Sequence, residues 1–455
     1  MPLTRMHERR YMSSSMTLSP ARGLRGSVEI PGDKSISHRA VMFGSLARGD
    51  TRVQHFLESA DCLATMDCFQ RLGVSIDRDP AAPGELVVHG AGLHGLRPGT
   101  DPAQLYAANS GTTTRILSGI LAPQGFTSVL SGDASVNRRP MKRVIEPLSQ
   151  MGADIVSVPG NGCAPLRISG RPLRSVTYRT KVASAQVKSA ILCAGLYASG
   201  ETAVIEPAVS RDHTERMLEA FGCSPAVRDL QDGAGAFAGH EVRIQTAEEL
   251  ISPGEIIVPG DISSAAYFIA AACITPDSEV LIRNVGMNGT RDGILRTAKA
   301  MGADITVLNR KEAAEPYADL LVKTSSLHGT TIEGALIPTL IDELPVLAVM
   351  AAAAEGTTII RDAAELKVKE SNRIETVTEG LRSMGARVTP TDDGMIIEGG
   401  APLRGALIHT FADHRVAMSF AVASLIAQGE TVLDDPSCVV ISYPEFFRDL
   451  DALRQ

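Results

Sequence analysis

The chain has 455 residues, 44% of them hydrophobic and 21% charged, with a formal net charge of −8. That composition is ordinary for folded protein and excludes wholesale disorder, and the length suits two or three domains of about 150 residues. An acidic chain is a poor general binder of nucleic acid or anionic membrane, and the longest apolar run, Pro345 to Ala354, is about half of the ~20 residues that a spanning helix needs.

From the N-terminus, residues 1–20 carry Arg5, Arg9 and Arg10 but no apolar core, so they are not a secretory signal and are expected to form a disordered leader. Seven cysteines form no Cys-x-x-Cys pair, and ten histidines lack metal-ligand spacing. Free thiols in a reducing compartment, here the cytoplasm, are expected, and no metal site.

One phrase recurs along the chain: a helical segment, a glycine, then a short β-rich run. Its glycines are Gly73, Gly152, Gly222, Gly302 and Gly385, each placed as a left-handed helix C-cap before a strand. A second phrase interleaves with it, an apolar helix opened by small or polar residues, starting near Ser37, Gly111, Ser184, Ser263, Asp342 and Asp413. The even spacing predicts six copies of one strand–helix–strand–helix–strand unit. Ile30-Pro-Gly-Asp33 resembles Val258-Pro-Gly-Asp261 at an offset of three units. Two α/β domains of three units follow, with crossovers at the Pro-Gly-Asp phrases. The expected boundaries are 21–32 plus 258–455 for one domain and 33–257 for the other. A dinucleotide fold would need Gly-x-Gly-x-x-Gly after the first strand, which is absent.

The helix openings hold most of the unusual polar residues. Ser, Thr and Asp at such places are ordinary N-caps, and Asp261, Ser263 and Ser264 are read that way. Cations in a first turn oppose the helix dipole, so Lys34, Arg39, Arg115 and Arg415 make poor stabilisers and sensible anion ligands. Arg138, Arg139, Lys142 and Arg143 form a cationic run that alone reads as a surface loop. Lys369 and Arg373, if helical, would share a face beside Glu370. Asp342, Glu343 and Glu370 supply candidate acid–base groups. Several cations in an acidic protein suit substrates with several negative charges, such as phosphorylated carboxylic acids. No P-loop is present.

Leu105-Tyr-Ala-Ala-Asn109-Ser-Gly111-Thr-Thr-Thr-Arg115 and Lys367-Val-Lys-Glu-Ser-Asn-Arg373 resemble the two signature segments of 5-enolpyruvylshikimate-3-phosphate synthases. Pro31-Gly-Asp-Lys-Ser-Ile-Ser-His-Arg39, Arg139-Pro140, Ser184-Ala-Gln186, Asp342-Glu-Leu-Pro345 and Asp413-His-Arg415 also match, in order. The resemblance runs from about residue 20 to the end and is nearest the class II bacterial branch. It implies an α/β fold of two domains, an inside-out α/β barrel of the enolpyruvyl transferase type, with three βαβαββ repeats in each domain, six in all, and an active site in the interdomain cleft. It implies a 3-phosphoshikimate 1-carboxyvinyltransferase of the shikimate pathway to chorismate and aromatic amino acids. Phosphoenolpyruvate and shikimate 3-phosphate would be its substrates and glyphosate a competitor. No cofactor, nucleic-acid or membrane partner is expected, and the protein would be a monomer.

Residue by residue, the resemblance implies that Lys34, Ser35, Arg39, Ser184, Ala185, Gln186, Arg211, Asp342 and Lys369 contact shikimate 3-phosphate. Lys34, Asn109, Gly111, Arg139, Gln186, Glu370, Arg373 and Arg415 would contact phosphoenolpyruvate. Asp342, Glu370 and Lys34 would be catalytic. One departure is Ile441, where many relatives carry a lysine three residues before Pro444. The relative that acts on UDP-N-acetylglucosamine shares the fold but typically has Lys-Asn where Lys34-Ser35 stands, and a reactive cysteine that Cys163 matches only superficially.

Overall fold

The computed structural model describes residues 15–455. The expected leader falls mostly outside them. Its last part does not behave as a leader, because Met16–Leu18 is a strand paired antiparallel with Thr431–Leu433.

The chain divides into two compact units. One takes the described chain up to Pro31, then Gly260–Lys311 and Pro316–Gln455; the other takes Gly32–Pro259 and Glu312–Glu315. Each has its own hydrophobic core.

Six small sheets recur with one plan. Ala103–Tyr106 runs parallel to Thr127–Ser131, which pairs antiparallel with Leu166–Ser169, which pairs antiparallel with Asp154–Ser157. The helix Gly111–Leu121 joins the parallel pair, and Lys142–Gln150 leads to the hairpin. That is one βαβαββ unit, and five sheets follow it. The sixth is shorter. Leu407–Ile408 runs parallel to Thr431–Leu433, and the place of the antiparallel strand is filled by Met16–Leu18 from the other end of the chain.

The expected C-cap glycines are all left-handed, with φ of 91° at Gly73, 96° at Gly152, 84° at Gly222, 95° at Gly302 and 87° at Gly385. A side chain costs about 1–2 kcal/mol in that region, so glycine punctuates each repeat.

The helix between the parallel strands is buried on every side. Ile262–Ile274 and Leu344–Ala353 are almost wholly apolar, and both pack on each other and on His414–Ser424. A helix without a polar face has no place at a surface. These three therefore form the middle of one unit with the sheets outside. Lys34–Leu46, Gly111–Leu121 and Ala185–Gly195 do the same in the other. Each fully buried Leu, Ile or Phe contributes about 1.5–3 kcal/mol.

The Pro-Gly-Asp phrases are where the chain changes unit. Arg25–Glu29 pairs in parallel with Glu279–Gly286, and Glu255–Ile257 pairs in parallel with Ala47–Gln54. One strand of each of these parallel pairs is thus supplied from a distant part of the chain. At Gly32 a Cβ would lie 2.0 Å from the carbonyl oxygen of His55, so only glycine passes there. Asp33 and Asp261 then cap the helices that follow, accepting from the N–H groups of Ile36 and Ser263.

Candidate active site

Polar residues gather at the N-terminal ends of the buried helices, in one cluster per unit.

In the unit built on Gly32–Pro259, the turn before Gly111–Leu121 is strained: Ala108 has φ of 48°, unusual for a residue with a side chain. The turn aims Asn109 at Arg139, whose Nη2 donates to Asn109 Oδ1 at 2.9 Å, while Asn109 Nδ2 donates to Asp133 at 2.7 Å. Of the four cations in the 138–143 run, Arg138, Lys142 and Arg143 are exposed and only Arg139 turns inward. Arg115, one turn into the same helix, donates from Nη1 to Gln186 Oε1 at 2.7 Å, and Gln186 Nε2 donates to Thr112 Oγ1 at 3.0 Å. Burial, then the nearby charges of Arg139 and Arg143, pushes the Arg115 guanidinium down to about 10. Its hydrogen bonds go to an amide and a carbonyl, not a carboxylate. Two guanidiniums that disfavour each other in a desolvated place form a site for an anion. Gly111 lies between them: a Cβ there would come 2.7 Å from Arg115 Nη1 and 3.3 Å from Arg139 Nη1.

Lys34 opens its helix with Nζ paired to the carboxylate of Asp61, which is 5% exposed. Ser35 and Ser184 are half-buried. Ser184 N-caps its helix by position, yet its hydroxyl makes no capping hydrogen bond. Ala185 and Gln186 form the first turn, and half-buried Arg211 precedes the helix His213–Ala220.

Arg39 lies deeper than Lys34, Arg115, Arg139 and Arg211. It is 3% exposed, and its guanidinium is engaged within the protein. Nη1 donates to the Ser35 carbonyl at 2.8 Å, Nη2 to Ser189 Oγ at 2.9 Å and Nε to Thr214 Oγ1 at 2.7 Å. Arg39, sixth in the helix Lys34–Leu46, reaches back toward the helix start and supports Ser35 through its carbonyl.

In the other unit the cluster centres on Asp342. Lys369 Nζ lies 3.3 Å and Arg373 Nη1 3.4 Å from its Oδ1, Arg415 Nη2 is 4.0 Å from Oδ2, and Arg415 Nη1 donates to its main-chain carbonyl at 3.2 Å. Lys369 and Arg373 do not share a helix. Lys369 ends the 3₁₀ turn Ala364–Val368 in extended conformation, and Arg373 begins the helix Arg373–Ser383. They meet at Asp342 because the intervening bend folds them onto it.

Arg373 is 1% exposed and surrounded by carboxylates: Nε donates to Asp413 Oδ2 at 2.8 Å and Nη2 to Glu370 Oε2 at 2.5 Å. Burial would raise the Glu370 carboxyl, but Arg373 and then His414 outweigh it and hold it near about 2. Glu370 is therefore ionised at neutral pH. Asp413 is likewise lowered, burial being outweighed by Arg373. Phe411 and Ala412, both with φ of 54°, form the strained approach to Asp413.

Asp61, Asp133 and Asp413 escaped assignment from sequence as partners of the site cations. Each looks like an ordinary turn or helix-start aspartate. Arg115 was conspicuous as a first-turn cation, but its bond to Gln186 crosses 71 residues.

A profile of the family described as EPSP synthase (3-phosphoshikimate 1-carboxyvinyltransferase) matches residues 18–450. Among curated relatives, a 3-phosphoshikimate 1-carboxyvinyltransferase of Desulforamulus reducens is 50% identical over 433 residues, covering 95% of this chain and 97% of its own. One from Geobacter sulfurreducens is 50% identical over 440 residues, covering 96% and 98%. The solved EPSP synthase of Acinetobacter baumannii superposes with a TM-score of 0.85 at 43% identity, over 97% of this chain and 98% of that one. The enolpyruvyl transferase NikO of Streptomyces tendae, at 16% identity and a TM-score of 0.77, shares the fold. Buried helices inside, small sheets outside and charged groups at the helix starts define an α/β protein of the enolpyruvyl transferase fold. Within that class, the chain belongs to the EPSP synthase family, and it is a transferase.

Proposed function

We propose that this chain transfers the enolpyruvyl group of phosphoenolpyruvate to the 5-hydroxyl of shikimate 3-phosphate, releasing phosphate. The observation that carries the reading is Asp342, a carboxylate with Lys369, Arg373 and Arg415 all within 4.0 Å. A pure anion binder gains nothing from a carboxylate among its cations, whereas a reaction that moves a proton in an anionic complex needs one.

Lys34, Ser35, Arg39, Ser184, Ala185, Gln186, Arg211, Asp342 and Lys369 would hold shikimate 3-phosphate. Lys34, Asn109, Gly111, Arg139, Gln186, Glu370, Arg373 and Arg415 would hold phosphoenolpyruvate. Asp342 takes the proton of the 5-hydroxyl as its oxygen attacks C2. A proton delivered to C3 through Glu370, with Lys34 assisting, completes the adduct. C3 then returns a proton as phosphate leaves, restoring the double bond. An ionised Glu370 cannot donate until it has collected a proton. A substrate carboxylate that draws off Arg373 would supply the condition, by removing the charge that keeps Glu370 acidic. The cations contribute by neutralising two phosphates and two carboxylates so that the reactants can approach.

The reading takes the protein to act as a cytoplasmic monomer with glyphosate competing for the phosphoenolpyruvate site; seven unpaired thiols suit a reducing compartment. The deciding experiment follows phosphate release from phosphoenolpyruvate with and without shikimate 3-phosphate. Release that depends on both supports the reading. Release independent of the acceptor, or none with both present, removes it.

A further inference from the structure

Behind Ser184 lies a charged group that the reaction does not use. Lys188 and Glu206 are both completely buried, and Nζ of Lys188 contacts Glu206 Oε2 at 3.0 Å and Glu215 Oε1 at 2.7 Å. Glu206 ends the strand Thr202–Glu206. Its Oε1 accepts the main-chain N–H of Ser184 at 2.8 Å, and its Oε2 accepts the hydroxyl of Ser210 at 2.7 Å. One carboxylate thus ties together the residue that opens the helix Ala185–Gly195 and the residue just before Arg211.

An N-cap serine ordinarily turns its hydroxyl inward to accept from the second or third N–H of its helix. Ser184 does not; its backbone is extended, at φ −149° and ψ 101°, with the hydroxyl out of the cap. Glu206 holds the Ser184 N–H and the Lys188 N–H holds its carbonyl at 3.0 Å, so the residue is pinned on both sides. A lone carboxylate here would also repel an anion at the same helix start. Lys188 cancels that charge. The second carboxylate, Glu215, contacts Lys188 and lies in the electrostatic reach of Arg39, so two buried cations act on it.

We propose that Glu206, neutralised by Lys188, is a positioning residue for the acceptor: it keeps the Ser184 hydroxyl out of its own helix cap and fixes the spacing between Ser184 and Arg211. The proposal rests on the reading that these two residues hold shikimate 3-phosphate. Without Glu206, Ser184 relaxes into an ordinary cap, and the protein stays folded while it loses acceptor affinity.

The test is steady-state kinetics on the full chain, varying each substrate at saturation of the other. Loss of a hydrogen bond to a charged group predicts that Glu206→Ala raises KM for shikimate 3-phosphate by about tenfold or more, with kcat and the phosphoenolpyruvate KM changed by less than about threefold. Glu206→Gln, whose amide oxygen can still accept the Ser184 N–H, recovers most of the loss. Ser210→Ala raises the same KM by roughly threefold, as removal of one neutral donor does. A cooperatively melting Glu206→Ala with unchanged acceptor KM overturns the proposal, and so does an equal rise in both KM values. If Glu206→Ala fails to fold, Glu206→Gln and Ser210→Ala decide: no acceptor-selective rise from Ser210→Ala overturns it. Arg211→Ala separates the premise. An unmoved acceptor KM there overturns the site reading and this proposal together. A raised one beside an inert Glu206→Ala overturns only the proposal.

Discussion

Arg115 hydrogen-bonds to Gln186 at 2.7 Å, joining two buried helices near their N-terminal ends. Gly111, one turn before Arg115, leaves room for that guanidinium and for Arg139. A methyl at Gly111 meets the far end of a flexible side chain and no backbone, so Gly111→Ala folds and shifts Arg115. One methyl in a tight pocket discriminates ligands by ~10–200-fold. Glyphosate, longer than phosphoenolpyruvate, is expected to lose affinity by that order while the phosphoenolpyruvate KM rises less. The ratio of glyphosate Ki to phosphoenolpyruvate KM measures this, and a ratio equal in both proteins contradicts it.

Asp342→Ala and Glu370→Ala are expected still to bind shikimate 3-phosphate and to lower kcat by ~10²–10⁴, the usual worth of a positioned acid or base. Calorimetric binding of shikimate 3-phosphate beside a phosphate-release assay separates the two effects. Full turnover by either variant excludes that residue as a proton carrier.

Arg39→Met removes three hydrogen bonds, two of them buried, and a positive charge that acts on Glu215. A loss of ~3 kcal/mol or more in unfolding free energy is expected, along with a raised KM for shikimate 3-phosphate. Urea unfolding measures the first. An unchanged urea midpoint would mean that these hydrogen bonds contribute nothing to the fold.

The folded Glu370 carboxyl, near about 2, lies below its ordinary value of 4.5. Its stabilising contribution is complete above about 4.5 and disappears as pH falls toward about 2. Glu370→Gln lacks that contribution at every pH. The stability gap between the wild type and Glu370→Gln should therefore shrink as urea midpoints are taken from pH 6 down to pH 3. A constant gap would mean that Arg373 does not hold the carboxylate.

The repeat was legible because its glycines answer a local demand, positive φ after a helix, that no other residue meets cheaply. Lys34, Arg115 and Arg415 stood out because a first-turn cation conflicts with the helix dipole. Direction was not legible. Lys369 and Arg373 look like neighbours on a helix, yet a break in the helix lets them reach Asp342 from two elements. Arg39 shares the sign and helix of Lys34, yet five residues further on it is buried. Met16–Leu18 read as part of a leader because its partner, Thr431–Leu433, lies at the opposite end of the chain. Lys188 and Glu206 were invisible as a pair, since ion pairing between a helix and the next strand leaves no periodic trace.

The pairing of Arg25–Glu29 with Glu279–Gly286 bears on how the chain is made. As the polypeptide leaves the ribosome, this early strand must wait for a partner synthesised about 250 residues later. The stretch from Gly32 to Pro259 meanwhile emerges with nearly all of its own unit. At ~5–20 residues per second the delay lasts at least ~10 seconds, long enough for an unpaired edge to attract a chaperone or a neighbouring nascent chain.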